Sequence, residues 1–78
     1  MEKDLKYITS NMRGYRARKG LSQRQTADLL GISRATYCDC EVNPEKVKIM
    51  RFYSLSKLFN CELKDFFVET KETENVGK

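Results

Sequence analysis

Two short helical segments separated by only a tight turn constrain the fold of this chain more than any other feature. Ser22 is followed three residues later by Gln25, a capping-box pattern that predicts the start of a helix after Ser22. Gly31 ends that helix, and Ser33 is placed to cap a further helix that continues to about Glu41. Two helices joined this closely hold a fixed angle, so packing the first against a core projects the second outward.

Apolar periodicity predicts helices before and after this pair. A first helix, ending near Gly20, is predicted from apolar residues at spacings of three, four and three, which are Leu5, Ile8, Met12 and Tyr15. Asn43-Pro44 ends the third helix, because proline cannot donate a backbone hydrogen bond, and a loop runs to about Val47. A fourth helix stops at Asn60 and carries the stripe Ile49, Phe52, Leu55, Leu58 and Phe59. A short fifth helix is indicated by Leu63, Phe66 and Phe67, which completes an all-α fold of five helices.

The length of the chain, 78 residues, allows one domain. Residues 1–68 contain the apolar pattern and are predicted to form this domain, whereas the polar residues 69–78 are predicted to be a flexible tail. The net charge is +4, and the tail, with three Glu against two Lys, contributes −1, so the domain carries +5. Between residues 13 and 34, six positive side chains stand against Asp28 alone. This pattern indicates a field that attracts phosphate, or alternatively a solvated basic surface.

The chain lacks the residues that several classes of function require. The chain has no His, no cluster of metal ligands, no Gly-rich phosphate loop and no nucleophile beside a base. We therefore expect neither an enzyme nor a metal, cofactor or small-molecule site. The three cysteines, Cys38, Cys40 and Cys61, are predicted to be reduced thiols. No apolar run approaches the roughly 20 residues of a membrane span, and a secretory signal pattern is lacking, which predicts a cytoplasmic protein without membrane contact.

The segment RARKGLSQRQTADLLGISRATYCDCE carries a recognisable signature. Its characteristic positions are Gly20-Leu21-Ser22-Gln23, Ala27, Leu30-Gly31-Ile32-Ser33 and Glu41. With the closing segment LFNCELKDFF, the chain resembles the phage-repressor and Cro-like helix-turn-helix family, also called lambda-repressor-like or XRE-like, from about Leu5 to Phe67. The resemblance implies a compact five-helix domain that binds double-stranded DNA, with the helix at about residues 33–42 in the major groove.

The resemblance also implies the roles of single residues. The residues that would face base edges are Arg34, Ala35, Cys38 and Asp39. Arg34 can bond to guanine and Ala35 can contact a thymine methyl group, whereas Asp39 either accepts from cytosine or has an intramolecular role. The residues that would contact phosphate are Gln23, Ser33, Thr36, Lys46 and Lys48, although simple solvation is the alternative for the two lysines.

A structural salt bridge between Arg16 and Glu41 is likewise implied, tying the first helix to the end of the third. Three residues depart from the family pattern, namely Thr26, Tyr37 and Cys40, so a repacked core is expected. Tyr37 fills the volume that the smaller residues release, but its hydroxyl needs a hydrogen-bond partner if it is buried. Asn43-Pro44 replaces the usual turn, which affects the phosphate contacts expected of the following loop.

These features predict a sequence-specific transcriptional regulator, most simply a repressor that binds operator half-sites as a homodimer, as phage repressors do. The dimer surface is assigned to the C-terminal apolar residues Leu63, Phe66, Phe67 and Val68, with completion of the monomer core as the alternative. Two other functions stay open. One is an antitoxin or restriction-modification controller with the same DNA chemistry, and the other is a protein-interaction module that has lost DNA binding.

Overall fold

The computed structural model describes residues 5–69 and contains four α-helices and two 3-10 helices in that range. The α-helices are α1 (Lys6–Arg18), α2 (Gln23–Leu30), α3 (Arg34–Val42) and α4 (Ile49–Phe59). The 3-10 helices are Pro44–Lys46 and Leu63–Phe67. Residues 5–69 contain no strand, so the all-α class is confirmed. None of these helices has the length and apolar character that crossing a membrane requires. The predicted tail at 69–78 lies outside the described residues except for Glu69.

The fifth helix differs in kind from the prediction, because Leu63–Phe67 is a 3-10 helix. The backbone N–H of Glu62 donates to Asp65 Oδ2 at 2.9 Å and so caps its start. Val68 is already extended, with φ −83° and ψ 116°, which limits the helix to five residues. A segment this short can form too few hydrogen bonds between residues four apart to favour an α-helix. The tighter 3-10 helix, with hydrogen bonds between residues three apart, forms instead.

The predicted caps are present at the start of α2 and in the tight connection between α2 and α3. Ser22 Oγ accepts from the backbone N–H of Gln25 at 3.0 Å, while Gln25 Oε1 accepts from the backbone N–H of Ser22 at 2.8 Å. Gly31 ends α2 in the left-handed conformation, with φ 73°, which side chains with a Cβ atom rarely adopt. Ser33 Oγ then accepts from the backbone N–H of Thr36 at 3.1 Å and begins α3. These local bonds fix where both helices start.

The core lies between the four α-helices and the C-terminal 3-10 helix. Its buried apolar residues are Ile8, Met12, Ala27, Tyr37, Cys40, Phe52, Leu55, Phe59 and Phe66. Tyr15 on α1 and Leu5, the residue directly before α1, pack against this cluster, as the predicted apolar face requires. The departures at Thr26, Tyr37 and Cys40 are all buried, and the hydroxyl of Thr26 donates to the carbonyl of Ser22 at 2.8 Å.

Phe66 closes the core from the C-terminal side. It is fully buried, and its ring centroid lies 6.0 Å from that of Tyr15, 5.8 Å from that of Phe52 and 6.3 Å from that of Phe59. Asn11 Nδ2 on α1 donates to the carbonyl oxygens of Phe66 and Val68, both at 2.9 Å, which holds this segment against α1.

For one of the four predicted dimer-surface residues, Phe66, the structure shows the alternative, which is completion of the monomer core. Phe66 is enclosed by the monomer core and has no exposed area to offer a second subunit. Leu63 is half-buried against the same core, whereas Phe67 and Val68 are exposed. Successive residues of a 3-10 helix point in different directions, which is why neighbouring phenylalanines differ so sharply in burial.

Replacing Phe66 by Ala should lower the free energy of unfolding by about 3–5 kcal/mol, because it removes a buried ring and leaves a cavity. Phe67→Ala is the matched control and should cost clearly less, since Phe67 is 39% exposed. Urea unfolding followed by circular dichroism measures both. Equal losses in the two variants would contradict the assignment of Phe66 to the core.

Candidate nucleic-acid interface

The α3 helix has a buried face and an exposed face. Tyr37 and Glu41 are fully buried, and Cys40 is nearly so. The exposed residues of α3 are Arg34, Ala35, Thr36, Asp39 and Val42. Residues three or four positions apart share one side of a helix, so the buried set fixes the rotation of α3 about its axis. Its exposed N-terminal part is thereby presented outward in a defined orientation.

The buried carboxylate of Glu41 holds this orientation. Its Oε2 accepts from Arg16 Nε at 2.7 Å and from the Tyr37 hydroxyl at 2.5 Å. Its Oε1 accepts from Arg13 Nε at 3.1 Å and from Gln23 Nε2 at 3.0 Å. We call these five residues the Glu41 cluster. The structure therefore contains the predicted bond between Arg16 and Glu41, and Glu41 also supplies the partner that a buried Tyr37 hydroxyl requires.

Burial and hydrogen bonding together set the ionisation of Glu41 and Tyr37. Burial alone would raise the pKa of Glu41, but the hydrogen bonds from Arg16, Tyr37 and Gln23 outweigh it and lower the pKa below the ordinary value of 4.5. Burial, together with the neighbouring carboxylate of Glu41, raises the pKa of Tyr37. The carboxylate is therefore ionised and the phenol is protonated near neutral pH, which is the combination that their hydrogen bond needs.

The side chain of Gln23, a predicted phosphate contact, has two hydrogen-bond partners within the protein. Its Nε2 donates to Glu41, and its Oε1 lies 3.2 Å from Cys38 Sγ, which donates to it. Both polar atoms of the side chain are therefore engaged within the protein, and the amide joins the start of α2 to the middle of α3. Cys38, predicted to face base edges, is half-buried with its thiol turned toward α2.

Three other predicted contact residues lie on the surface with local partners. Ser33 caps α3 and also donates its hydroxyl hydrogen to Thr36 Oγ1 at 2.8 Å. Asp39 is exposed, and its Oδ1 accepts from Asn43 Nδ2 at 2.7 Å at the end of the helix. The intramolecular role that the sequence left open for Asp39 is thus present in the structure.

The basic segment divides into inward and outward side chains. Of its six positive residues, Arg13 and Arg16 bind Glu41, although the Arg13 side chain remains 51% exposed. The guanidinium of Arg18 lies 4.6 Å from the centroid of the Tyr15 ring. The remaining exposed cations of the segment are Lys19, Arg24 and Arg34. The local charge that could attract an anion is therefore smaller than the sequence count indicates.

A groove of about 440 Å³ borders α3 on the side of α4. Thr36 and Asp39 contribute its α3 wall, and the loop and α4 contribute Lys46, Lys48 and Arg51. Both lysines are exposed, and Arg51 is half-buried. We call this the α3–α4 groove. The structure brings the predicted phosphate residues Thr36, Lys46 and Lys48 to one surface feature.

Sequence reasoning missed two residues that support Glu41. Arg13 lies three positions before Arg16 on α1, so helical spacing places both on one side and could have indicated a shared partner. Thr9 donates its hydroxyl hydrogen to the backbone carbonyl of Glu41. No local pattern links Thr9 to a residue so distant in the chain, and only the packing of α1 on α3 reveals it.

Replacing Glu41 by Gln should lower the free energy of unfolding at pH 7 by about 3–5 kcal/mol, because the largely buried guanidinium of Arg16 loses its counter-charge. Acid should have a related effect on the natural protein. The lowered pKa of folded Glu41 means that its contribution is complete above the unfolded value of 4.5 and is lost as the pH falls through the folded value. Urea unfolding between pH 7 and pH 3 measures both effects.

Glu45→Gln is the control for the same charge change at an exposed carboxylate. It should leave the unfolding free energy at pH 7 nearly unchanged, because an exposed carboxylate remains hydrated in the folded protein. Equal stability of the Glu41 and Glu45 variants, or a natural protein that keeps its full stability down to pH 3, would contradict the role of Glu41.

Comparison with known proteins agrees with this geometry. A family model described as helix-turn-helix matches residues 12–66, which includes all of α2, α3 and α4. No curated protein and no solved structure matches the chain. The matched region contains the exposed start of α3 and the whole Glu41 cluster. The chain belongs to the XRE or lambda-repressor-like helix-turn-helix family of DNA-binding regulators.

Proposed function

We propose that this protein is a sequence-specific repressor that reads operator half-sites in the major groove with residues 33–42. The observation that supports this most is the exposed pair Arg34 and Ala35 at the start of α3, whose opposite face is fixed by Tyr37 and Glu41. A helix held in one orientation can place its side chains against base edges reproducibly. Acting on chromosomal or phage DNA, the protein would work in the cytoplasm.

Arg34 is the main base-reading residue in this proposal. Its exposed guanidinium can donate two parallel hydrogen bonds to O6 and N7 of a guanine, a contact that discriminates against other bases by about 1–3 kcal/mol. Ala35 offers a small apolar surface to a thymine methyl group. Asp39 and Cys38 lie one turn further along α3, but their bonds to Asn43 and Gln23 would have to rearrange before either could reach a base.

Phosphate contacts position the helix on the DNA backbone. Thr36 accepts a hydrogen bond from Ser33, so the hydroxyl hydrogen of Thr36 can be donated to a phosphate oxygen. Lys46 and Lys48 are exposed beside α3 and supply positive charge. Because the side chain of Gln23 is engaged within the protein, Gln23 would meet phosphate through the backbone at the start of α2.

Substituting Arg34 by Ala should remove a guanine preference at one position of the bound site. The test is selection of bound duplexes from a random pool with the natural protein and the variant. Arg24→Ala removes the same charge from an exposed site on α2 and should lower affinity without changing the selected bases.

Two outcomes of this selection would count against the proposal. Identical enrichment by the natural protein and by Arg34→Ala would remove the role of Arg34. A natural protein that enriches no bases, and binds DNA only weakly and with strong salt dependence, would favour the alternative of a protein-interaction module.

Homodimer formation completes the proposal, because two subunits place two recognition helices about 34 Å apart on a palindromic site. The exposed apolar residues Phe67 and Val68 provide the surface, and the hydrogen bond of Asn11 to the Val68 carbonyl fixes its backbone. Val68→Asp should shift the protein toward monomer in sedimentation velocity, free and on DNA. Leu29→Asp is the control, since Leu29 is 61% exposed and Val68 is 58% exposed. A natural protein that is monomeric in both conditions would refute the dimer.

A further inference from the structure

In the α3–α4 groove, Arg51, which the sequence did not single out, adds a third positive charge to the two predicted phosphate-contacting lysines. Lys46, Lys48 and Arg51 line the groove, and Asp39 is its one acidic side chain. Three positive groups against one negative group leave the groove with a net positive charge. The Asp39 carboxylate also accepts a hydrogen bond at 2.7 Å from Asn43, which is not one of the residues that line the groove.

Arg51 differs from the other half-buried arginine near α3. Arg16 forms an ion pair with Glu41 at 2.7 Å, and its charge is balanced within the fold. Within residues 5–69, no ion pair joins Arg51 to a carboxylate. The Arg51 guanidinium interacts with the Cys40 thiol, which carries no counter-charge at neutral pH, and an arriving anion would supply one.

The position of the groove identifies the anion. Thr36 and Asp39 belong both to its wall and to the exposed face of α3. A helix inserted in the major groove of DNA has a phosphate backbone on each side of it. The α3–α4 groove borders α3, so a phosphate of that backbone would come close to Arg51 when α3 is inserted.

We propose that Arg51 binds a DNA backbone phosphate in the α3–α4 groove, with Lys46 and Lys48 providing further positive charge around it. This inference rests on the proposed function, in that α3 must enter the major groove. The planar guanidinium of arginine can donate two parallel hydrogen bonds to phosphate oxygens, which lysine cannot. Partial burial already restricts the Arg51 side chain, so less conformational entropy is lost when it binds.

The test is the salt dependence of DNA binding by Arg51→Gln. Loss of one phosphate contact should reduce the slope of log affinity against log salt concentration by about 0.9. At 0.1 M salt this corresponds to roughly eightfold weaker binding, if the proteins bind equally at 1 M. The loss should be the same on the selected duplex and on a random-sequence duplex, because a phosphate contact carries no sequence information.

Two further variants sharpen the test. Lys64→Gln removes one positive charge from an exposed residue of the C-terminal 3-10 helix and should leave the slope unchanged. Arg51→Lys keeps the charge but loses the paired hydrogen bonds, so it should keep the slope and bind several-fold more weakly at fixed salt. If Arg51→Gln does not fold, as judged by circular dichroism, Arg51→Lys carries the test alone.

Each outcome decides the inference. A slope of Arg51→Gln equal to that of the natural protein, an equal fall in Lys64→Gln, or full affinity of Arg51→Lys would overturn it. Failure of the proposed function is separate, because the natural protein would then select no bases in the random pool. Selection by the natural protein together with an unchanged Arg51→Gln slope would reject the Arg51 site alone.

Discussion

The orientation of α3 depends on one buried carboxylate. Glu41 has no exposed surface, yet its charge is balanced by hydrogen bonds that come from three different helices. Arg13 and Arg16 reach it from α1, Gln23 reaches it from α2, and Tyr37 reaches it from within α3 itself. Removing a charge from water is costly, and these donors offset that cost. A shift or rotation of α3 would break several of these bonds at once, so the helix has one preferred position.

Because of this arrangement, some polar side chains bind Glu41 in the interior and others stay exposed on the surface. The sequence shows a continuous basic stretch, but its members at Arg13 and Arg16 face the carboxylate, whereas Arg34 is exposed at the start of α3. Gln23 likewise turns inward and bonds to Cys38. The exposed basic surface is therefore narrower than the sequence indicates, and the DNA surface that we propose consists of the start of α3 and the α3–α4 groove.

Local features of the fold were predictable because short-range chemistry determines them. The Ser22 cap and the Gly31 stop involve residues at most a few positions apart, and both appear as expected. The bonds of Thr9 and Gln23 to Glu41 join residues far apart in the chain, and no periodicity reveals them. The C-terminal segment was predictable only in part. Its apolar content was evident, but only the 3-10 geometry decides that Phe66 is buried.

Tyr37 shows how an unusual core residue supports the exposed face of the same helix. The family pattern favours a β-branched aliphatic side chain at this position, which would fill space without making a hydrogen bond. Tyr37 is fully buried and adds a donor to Glu41 from one turn earlier on α3. Its raised pKa keeps that donor protonated across the neutral range. In this chain the helix that carries Arg34 is thus held by polar bonds as well as by apolar packing, so the orientation of its exposed face depends on the ionisation of Glu41.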